Sequence, residues 1–256
     1  MISTVNQFRD LHKSLFILPN AWNARSASLI AEQGFPAIAT SSYAVATSLG
    51  YEDGEQMKFD EYLFVIQRIL SASPVPLTID MEMGYGNNKE EIFKNLQQLT
   101  ELGIAGINIE DSIMHEGKRR LRNPNEMATI IEYIKTKLAS KKQELFINLR
   151  CDTYILDVVN KQRETSARLK IYNNSGCDGI FLPCIASEDD ISEAVYHSHL
   201  PLNVMFVPGL PDFDTLGKLG VKRISTGPFL FTKVYENIGT LLQTIKTVKN
   251  YSAIIS

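Results

Sequence analysis

The stretch TIDMEMGYGN, residues 78–87, puts two carboxylates, Asp80 and Glu82, one residue apart, where an apolar run gives way to Gly84-Tyr85-Gly86. Carboxylates at the end of a buried strand are costly unless something pairs with them. Further on, Glu110-Asp111 closes the run GINI, and Arg150 and Asp152 close ELFINL. Ser41, Ser42 and Tyr43 follow AIAT, and Thr226 follows KRIS. Several carboxylates converging without imidazole or thiolate form a hard oxygen site, suited to Mg²⁺ or Mn²⁺ rather than Zn²⁺. A cation would also offset the repulsion between the like charges. An arginine beside it clamps a carboxylate or phosphoryl group through paired N–H donors. Singly, each acid reads as a solvated surface group, Arg150 as a structural ion pair, and Glu110-Asp111 as a cap. The site argument rests on their joint placement at successive strand ends.

That placement needs a scaffold, and the chain repeats one pattern. A short β-rich apolar run is followed by a polar break and a helical pattern. The runs are SLFILPN, AIATSS, PLTIDME, GINIED, ELFINLRCD, GIFLPC, LNVMFVP and KRISTG. The intervening helices carry their own signals, such as acidic residues opening NKEEIFKNLQQLTELG and Pro124 near the start of the next. Eight strand-helix units predict an α/β fold, a (β/α)8 TIM-type barrel. One domain over 1–256 is expected, with a short N-terminal helix and a C-terminal helix. An open doubly wound sheet is the alternative, but no GxGxxG opens a helix after the first strand. In a barrel, catalytic groups come from the carboxyl ends of the strands. Strand alternation then sends Asp80 and Glu82 to one side and Met81 toward the helices. Gly84 and Gly86 are expected to give the backbone room to turn beside an ion.

Composition narrows the partners. The 256 residues are 44% hydrophobic and 21% charged with a formal net charge of -3, which gives no reason to expect nucleic acid or an anionic membrane. No apolar run reaches the ~20 residues that span a bilayer, and the first residues show no signal-peptide pattern. Cys151, Cys177 and Cys184 have no CxxC spacing and argue for a reducing compartment. A cytoplasmic location is therefore expected. His12, His197 and His199 fall on helices or helix ends as packing or surface groups; His115 alone lies in a loop at the strand ends.

In LPNAWNARSASLIAEQGFPAIATSSYAVATSLGYEDGE, TIDMEMGYGN, GINIEDS, INLRCDTY, GIFLPC and PLNVM, the chain resembles the isocitrate lyase/phosphoenolpyruvate mutase superfamily, and most closely its phosphonomutase-like branch. The resemblance implies a (β/α)8 barrel that uses Mg²⁺ to hold an α-oxo acid or its enolate while an adjacent C–C or P–C bond is made or broken. It implies Asp80 as the direct metal ligand, with Glu82, Asp53 and Glu110 around it, largely through metal-bound waters. It implies Ser41, Ser42 and Tyr43 as binders of the substrate carboxylate, and Arg150 as the stabiliser of the anionic reacting group. Asn203 and Thr226 fall where members place substrate-contacting polar groups. Arg150, Tyr43 and Glu110 are the expected catalytic residues. Asp53 is also expected to touch substrate.

The segment after Asp111, SIMHEGKRRLRNPNE, is the expected water-excluding loop. It lacks the Lys-x-Cys-Gly-His motif of isocitrate and methylisocitrate lyases and the FPKxNS pattern of phosphonomutases. It offers His115, Lys118, Arg119 and Arg120 instead, either as cover for an anionic substrate or as a solvated charge run. Ala39 replaces a tryptophan of phosphonomutases, the histidine they use after strand six is replaced around Pro183, and Asn23 stands where many relatives have aspartate. The leading expectation is a Mg²⁺-dependent lyase that breaks a C–C bond in a small α-oxo or 2-hydroxy carboxylate through an enolate. The alternatives are a phosphonomutase or phosphonopyruvate hydrolase, and a non-catalytic oxo-acid-binding protein. A homo-oligomer is expected, without exchange of the C-terminal helix that relatives swap.

Overall fold

A computed structural model describes residues 4–249 and 252–255. Residues 1–3, 250, 251 and 256 of the expected domain lie outside the described residues, as does Asn250, the last residue of the expected eighth helix. In chain order the elements are α1 (Thr4–Leu11), β1 (Phe16–Leu18), β2 (Asn20–Ala21), α2 (Ala24–Glu32), β3 (Ile38–Thr40), α3 (Ser42–Ser48), α4 (Phe59–Ser71) and β4 (Leu77–Asp80). There follow α5 (Lys89–Glu101), β5 (Gly106–Glu110), β6 (Ser112–His115), β7 (Lys118–Leu121), α6 (Pro124–Ser140), β8 (Phe146–Arg150) and α7 (Lys161–Tyr172). The last are β9 (Gly179–Leu182), α8 (Glu188–His197), β10 (Leu202–Met205), α9 (Phe213–Leu219), β11 (Arg223–Ser225), α10 (Phe229–Val248) and α11 (Ser252–Ile255).

Nine parallel strands run in the order β1-β11-β10-β9-β8-β5-β4-β3-β2. The two ends of this list, β1 and β2, are one strand broken at Pro19, which has no N–H to give a ladder. Leu18 accepts from Thr226 N–H at 3.2 Å and Pro19 accepts from Ala39 N–H at 2.9 Å, so this segment joins both edges. The sheet is the expected eight-position TIM-type barrel.

The barrel interior changes character along its axis. Its floor is apolar: Phe8 of α1 packs edge-on against Phe16 and Phe146, and His12 stacks on Phe146 at 4.3 Å. Above lies a polar layer in which Asn148 donates to Asn108 at 2.8 Å and the fully buried Arg223 donates to the same Asn108 oxygen at 2.8 Å. The rim carries Asp80, Glu110 and Arg150, which end β4, β5 and β8. Between strands and helices, Ile79, Ile107, Leu149, Leu182 and Val204 form the main core, each buried side chain contributing about 2 kcal/mol. Helix starts are fixed by side-chain caps: Asn23 and Ser26 form a capping box on α2, and Asn88 accepts from Glu91 N–H on α5.

Three local expectations are corrected. The run PLTIDME is strand only through Asp80; Glu82 has φ 47, in the left-handed region. Residues 112–121 form an antiparallel hairpin rather than an irregular loop, turning at Glu116-Gly117 with φ 50 and 72. Both positive angles are what a two-residue type I′ turn needs. The space that Gly84 and Gly86 leave is taken up by Ile92 of α5. A Cβ at Gly84 would stand 2.8 Å from Ile92 side-chain carbons, and one at Gly86 would stand 2.7 Å from Ile92 N.

The eighth helix also departs from expectation. In the 20-residue α10 only Phe231 is buried, while Leu230, Val234, Tyr235, Ile238, Leu241 and Leu242 are exposed. Where a barrel's eighth helix would lie, over β11 and β1, there is instead a groove of about 530 Å³ lined by Ile17, Ile224, Phe206, Val207, Phe213 and others.

Candidate active site

Asp80 is placed by its own backbone. Its N–H donates to Thr40 Oγ1 at 3.0 Å, and its carbonyl accepts from Tyr62 Oη at 3.0 Å. Tyr62 Oη and Thr40 Oγ1 are themselves 2.6 Å apart, so β3, β4 and α4 fix where the carboxylate begins. Asp80 Oδ2 accepts from Ser42 Oγ at 2.8 Å and from Ser42 N–H at 3.4 Å. Asp80 Oδ1 is buried and has no hydrogen-bond partner. A buried carboxylate oxygen without a donor costs several kcal/mol of lost solvation unless a cation or water meets it.

The other acids surround this point from separate elements. Glu82 accepts from Gly54 N–H at 2.8 Å, Glu55 N–H at 3.0 Å and Tyr85 Oη at 2.7 Å. Its left-handed backbone thereby ties strand end β4 to the loop before α4. Asp53, in that loop, accepts from Ser42 Oγ at 3.4 Å. Glu110 lies between two arginines, with Arg150 Nη1 2.9 Å from Oε2 and Arg119 Nη1 2.7 Å from Oε1. Ser112 Oγ bridges Glu110 Oε1 and Asp152 Oδ2 at 2.9 and 2.7 Å. Asp152 in turn holds Arg150 Nε at 2.6 Å.

Burial, then the neighbouring Asp53, pushes Glu82 up to about 7. Burial also pushes Glu110 up to about 8, against the pull of Arg150. Asp53 rises for the same reasons, burial first and Asp80 second. Burial opposes the charge on Arg150, but Asp152 and Glu110 outweigh it and hold the guanidinium charged. Five carboxylates thus share two guanidiniums, a surplus of negative charge that a cation relieves.

The expected site residues divide. Asp80, Glu82, Asp53, Glu110, Arg150 and Ser42 come together as described. Ser41 caps α3, accepting from Ala44 N–H at 3.3 Å, and Tyr43 is 43% exposed with its ring beside Phe231. Neither side chain joins the acidic cluster. Thr226 Oγ1 accepts from Asn20 N–H at 2.9 Å, and Asn203 lies buried with Ser225 at 3.5 Å. Asp111 turns away altogether, held by Arg168 at 2.9 Å and Tyr172 Oη at 2.7 Å. Arg119 was legible only as one of a basic run; alternation in the hairpin turns it inward while Lys118 and Arg120 stay exposed. Asp152, Ser112 and Tyr62 were not assigned to the site. The Glu-Gly turn between alternating runs was the signal that finds Arg119.

Among the described residues, no group of three or more carboxylate, imidazole or thiolate side chains is gathered closely enough to hold a metal ion by itself. The donor chemistry nevertheless fits a water-retaining Mg²⁺, which takes one or two carboxylates and keeps several waters. Asp80 Oδ1 supplies an open oxygen, and Glu110 Oε2, ion-paired with Arg150, also accepts no hydrogen bond; the remaining acids suit hydrogen bonds to bound water.

A parallel barrel with an arginine-bridged carboxylate cluster at the carboxyl ends of its strands belongs to the class of barrel enzymes whose chemistry sits at that end. The comparisons sharpen the class. The phosphoenolpyruvate phosphomutase family model matches residues 8–246, and the chain belongs to that family. An uncharacterized protein of Mycobacterium tuberculosis H37Rv is 36% identical over 86% of this chain and 81% of its own. Oxaloacetate decarboxylase 1 of Pseudomonas fluorescens is 27% identical over 79% of this chain and 70% of its own. A crystal structure of a Burkholderia cenocepacia J2315 protein, assigned as a phosphonomutase, superposes with a TM-score of 0.87 at 33% identity, covering 94% of this chain and 99% of that one. The similar proteins therefore include lyases and mutases of C–C and P–C bonds.

Proposed function

We propose that this chain is a Mg²⁺-dependent lyase that breaks a C–C bond in a small α-oxo or 2-hydroxy carboxylate through an enolate. The observation that carries this reading is the buried, unpartnered Asp80 Oδ1 at the barrel rim whose strand ends also carry Arg150. Asp80, with Glu82, Asp53 and Glu110 outside it, would hold the cation, which supplies electrophilic stabilisation to the oxo oxygen. Mn²⁺ suits the same oxygen donors.

Arg150 carries the other part. Of the five N–H donors of a guanidinium, two are directed at Asp152, while Nη1 forms an ion pair with Glu110 Oε2 without donating a hydrogen bond to it. The rest remain for an oxyanion, and the two carboxylates keep the group rigid as charge develops on the substrate. Ser42 and the amides after β3 are read as the substrate-carboxylate side, with Tyr43, Ser41, Asn203 and Thr226 as supports. When the C–C bond breaks, its electron pair passes into the enolate. The β6–β7 hairpin offers no thiol or inward imidazole, so proton return falls to a carboxyl of the cluster or to water. Oxalate mimics the enolate; calorimetry should show it binding only with Mg²⁺, and binding that ignores the cation would refute the reading.

A second reading is P–C chemistry, supported by membership of the phosphoenolpyruvate phosphomutase family and by the Burkholderia relative. Phosphorus NMR of phosphonopyruvate with the enzyme decides it: a shifted or released phosphorus signal supports the mutase or hydrolase, and an unchanged spectrum removes it.

The whole chain, 1–256, is read as one barrel domain, cytoplasmic and self-associating. Among the described residues no helix is long and apolar enough to cross a membrane. The exposed apolar face of α10 and the groove over β11 and β1 match in chemistry. That match favours exchange of α10 between copies over the association without exchange expected from sequence.

A further inference from the structure

Arg119 is the least expected member of the cluster. Its hairpin rises directly after β5, so Glu110 and Arg119 are joined by a short, rigid path. The side chain is 19% exposed and its two terminal nitrogens reach four carboxylates. Nη1 lies 2.7 Å from Glu110 Oε1 and 3.6 Å from Asp152 Oδ2. Nη2 lies 3.6 Å from Asp53 Oδ2 and 4.0 Å from Glu82 Oε2. Three of these four acids are ones the proposed function gives to the cation's surroundings. Asp80, the proposed direct ligand, is the acid of that set for which no ion pair is recorded among the described residues.

We propose that Arg119 is a built-in competitor of the divalent cation: its guanidinium and the cation are alternative partners of Asp53, Glu82 and Glu110, so docking of the β6–β7 hairpin and cation binding oppose each other. The inference rests on the cation reading above. The physical cause is simple. A guanidinium in this ring repels a divalent ion and also donates to Glu110 Oε1, an oxygen that would receive its water protons. Lys118 and Arg120 on the same strand stay in solvent, so the effect belongs to one side chain. Linkage makes it reciprocal: what weakens the cation through the hairpin must loosen the hairpin through the cation.

The test is Mn²⁺ binding, by calorimetry and by electron paramagnetic resonance, to the full chain and to Arg119→Gln and Arg119→Lys. Competition predicts that Arg119→Gln binds Mn²⁺ about tenfold or more tightly than the parent, since a unit and a double charge ~6 Å apart repel by that much even in water. Arg119→Lys, which keeps the charge, should stay near the parent. A residue that only positions Glu110 predicts the opposite, weaker Mn²⁺ binding in Arg119→Gln, and that result overturns the proposal. Hydrogen exchange on the parent needs no variant: amides of residues 112–121 should exchange faster with Mn²⁺, and slower exchange overturns it as well. If the parent binds Mn²⁺ and Arg119→Gln binds no more tightly, this proposal alone fails. If neither binds Mn²⁺, the cation reading fails and takes the proposal with it.

Discussion

Glu82 and Glu110 owe their high proton affinity to burial before any neighbour, and a cation inverts that balance by favouring the ionised forms. Mg²⁺ affinity should therefore rise from pH 6 to pH 8 as these carboxyls ionise, with proton release measurable by calorimetry in buffers of different ionisation enthalpy. A flat profile would count against their part in the site. His12 gives an independent pH effect. Burial, then Arg223, lowers it to about 3; the native state binds fewer protons than the unfolded chain between that value and 6.5. Stability contributed by neutral His12 is present above about 6.5 and is lost as pH falls, by up to about 1.4 kcal/mol per unit. His12→Phe, set among Phe8, Phe16 and Phe146, should flatten the acid side of a stability–pH curve. Asp80, Glu82, Glu110 and Arg150 were legible because each closes an apolar run. Asp152 was legible as a strand end, but not its bond to Arg150, because two residues on the same strand side meet only through a side-chain rotamer.

At the element scale, the strands were readable because eight apolar runs alternate with amphipathic helices. The short pieces were not: α3 follows β3 without a break, and the hairpin's charged sequence KRRL has little strand propensity. Its register comes from the turn. Asp111 shows the limit of reading charge from sequence, since the neighbour of a site residue anchors α7 through Arg168 and Tyr172. Asp111→Ala should cost about 3–5 kcal/mol, because it leaves Arg168 buried without its main partner; urea unfolding measures this. A loss below about 1 kcal/mol would mean Glu164, 2.8 Å from Arg168 Nε, suffices. Gly84→Ala should destabilise by about 2 kcal/mol or more through its φ of 107 and the clash with Ile92.

For the whole molecule, the barrel is closed as a hydrogen-bonded sheet, while the groove over β11 and β1 and the apolar face of α10 both stay exposed. Sequence periodicity shows that α10 is amphipathic; the exchange proposed above gives its apolar face the groove of a second copy. Leu241→Asp, on that face, should reduce the mass seen by light scattering toward that of one 28.8 kDa chain. A parent protein already monomeric at micromolar concentration would remove the assembly proposal. Asp80 is proposed to place a divalent cation where a small oxo acid reacts. Titrating oxalate calorimetrically into the parent and into Asp80→Ala, each with and without Mg²⁺, tests it most directly. Oxalate should bind the parent only with Mg²⁺ and folded Asp80→Ala not at all; equal binding by both would remove Asp80 from the cation site.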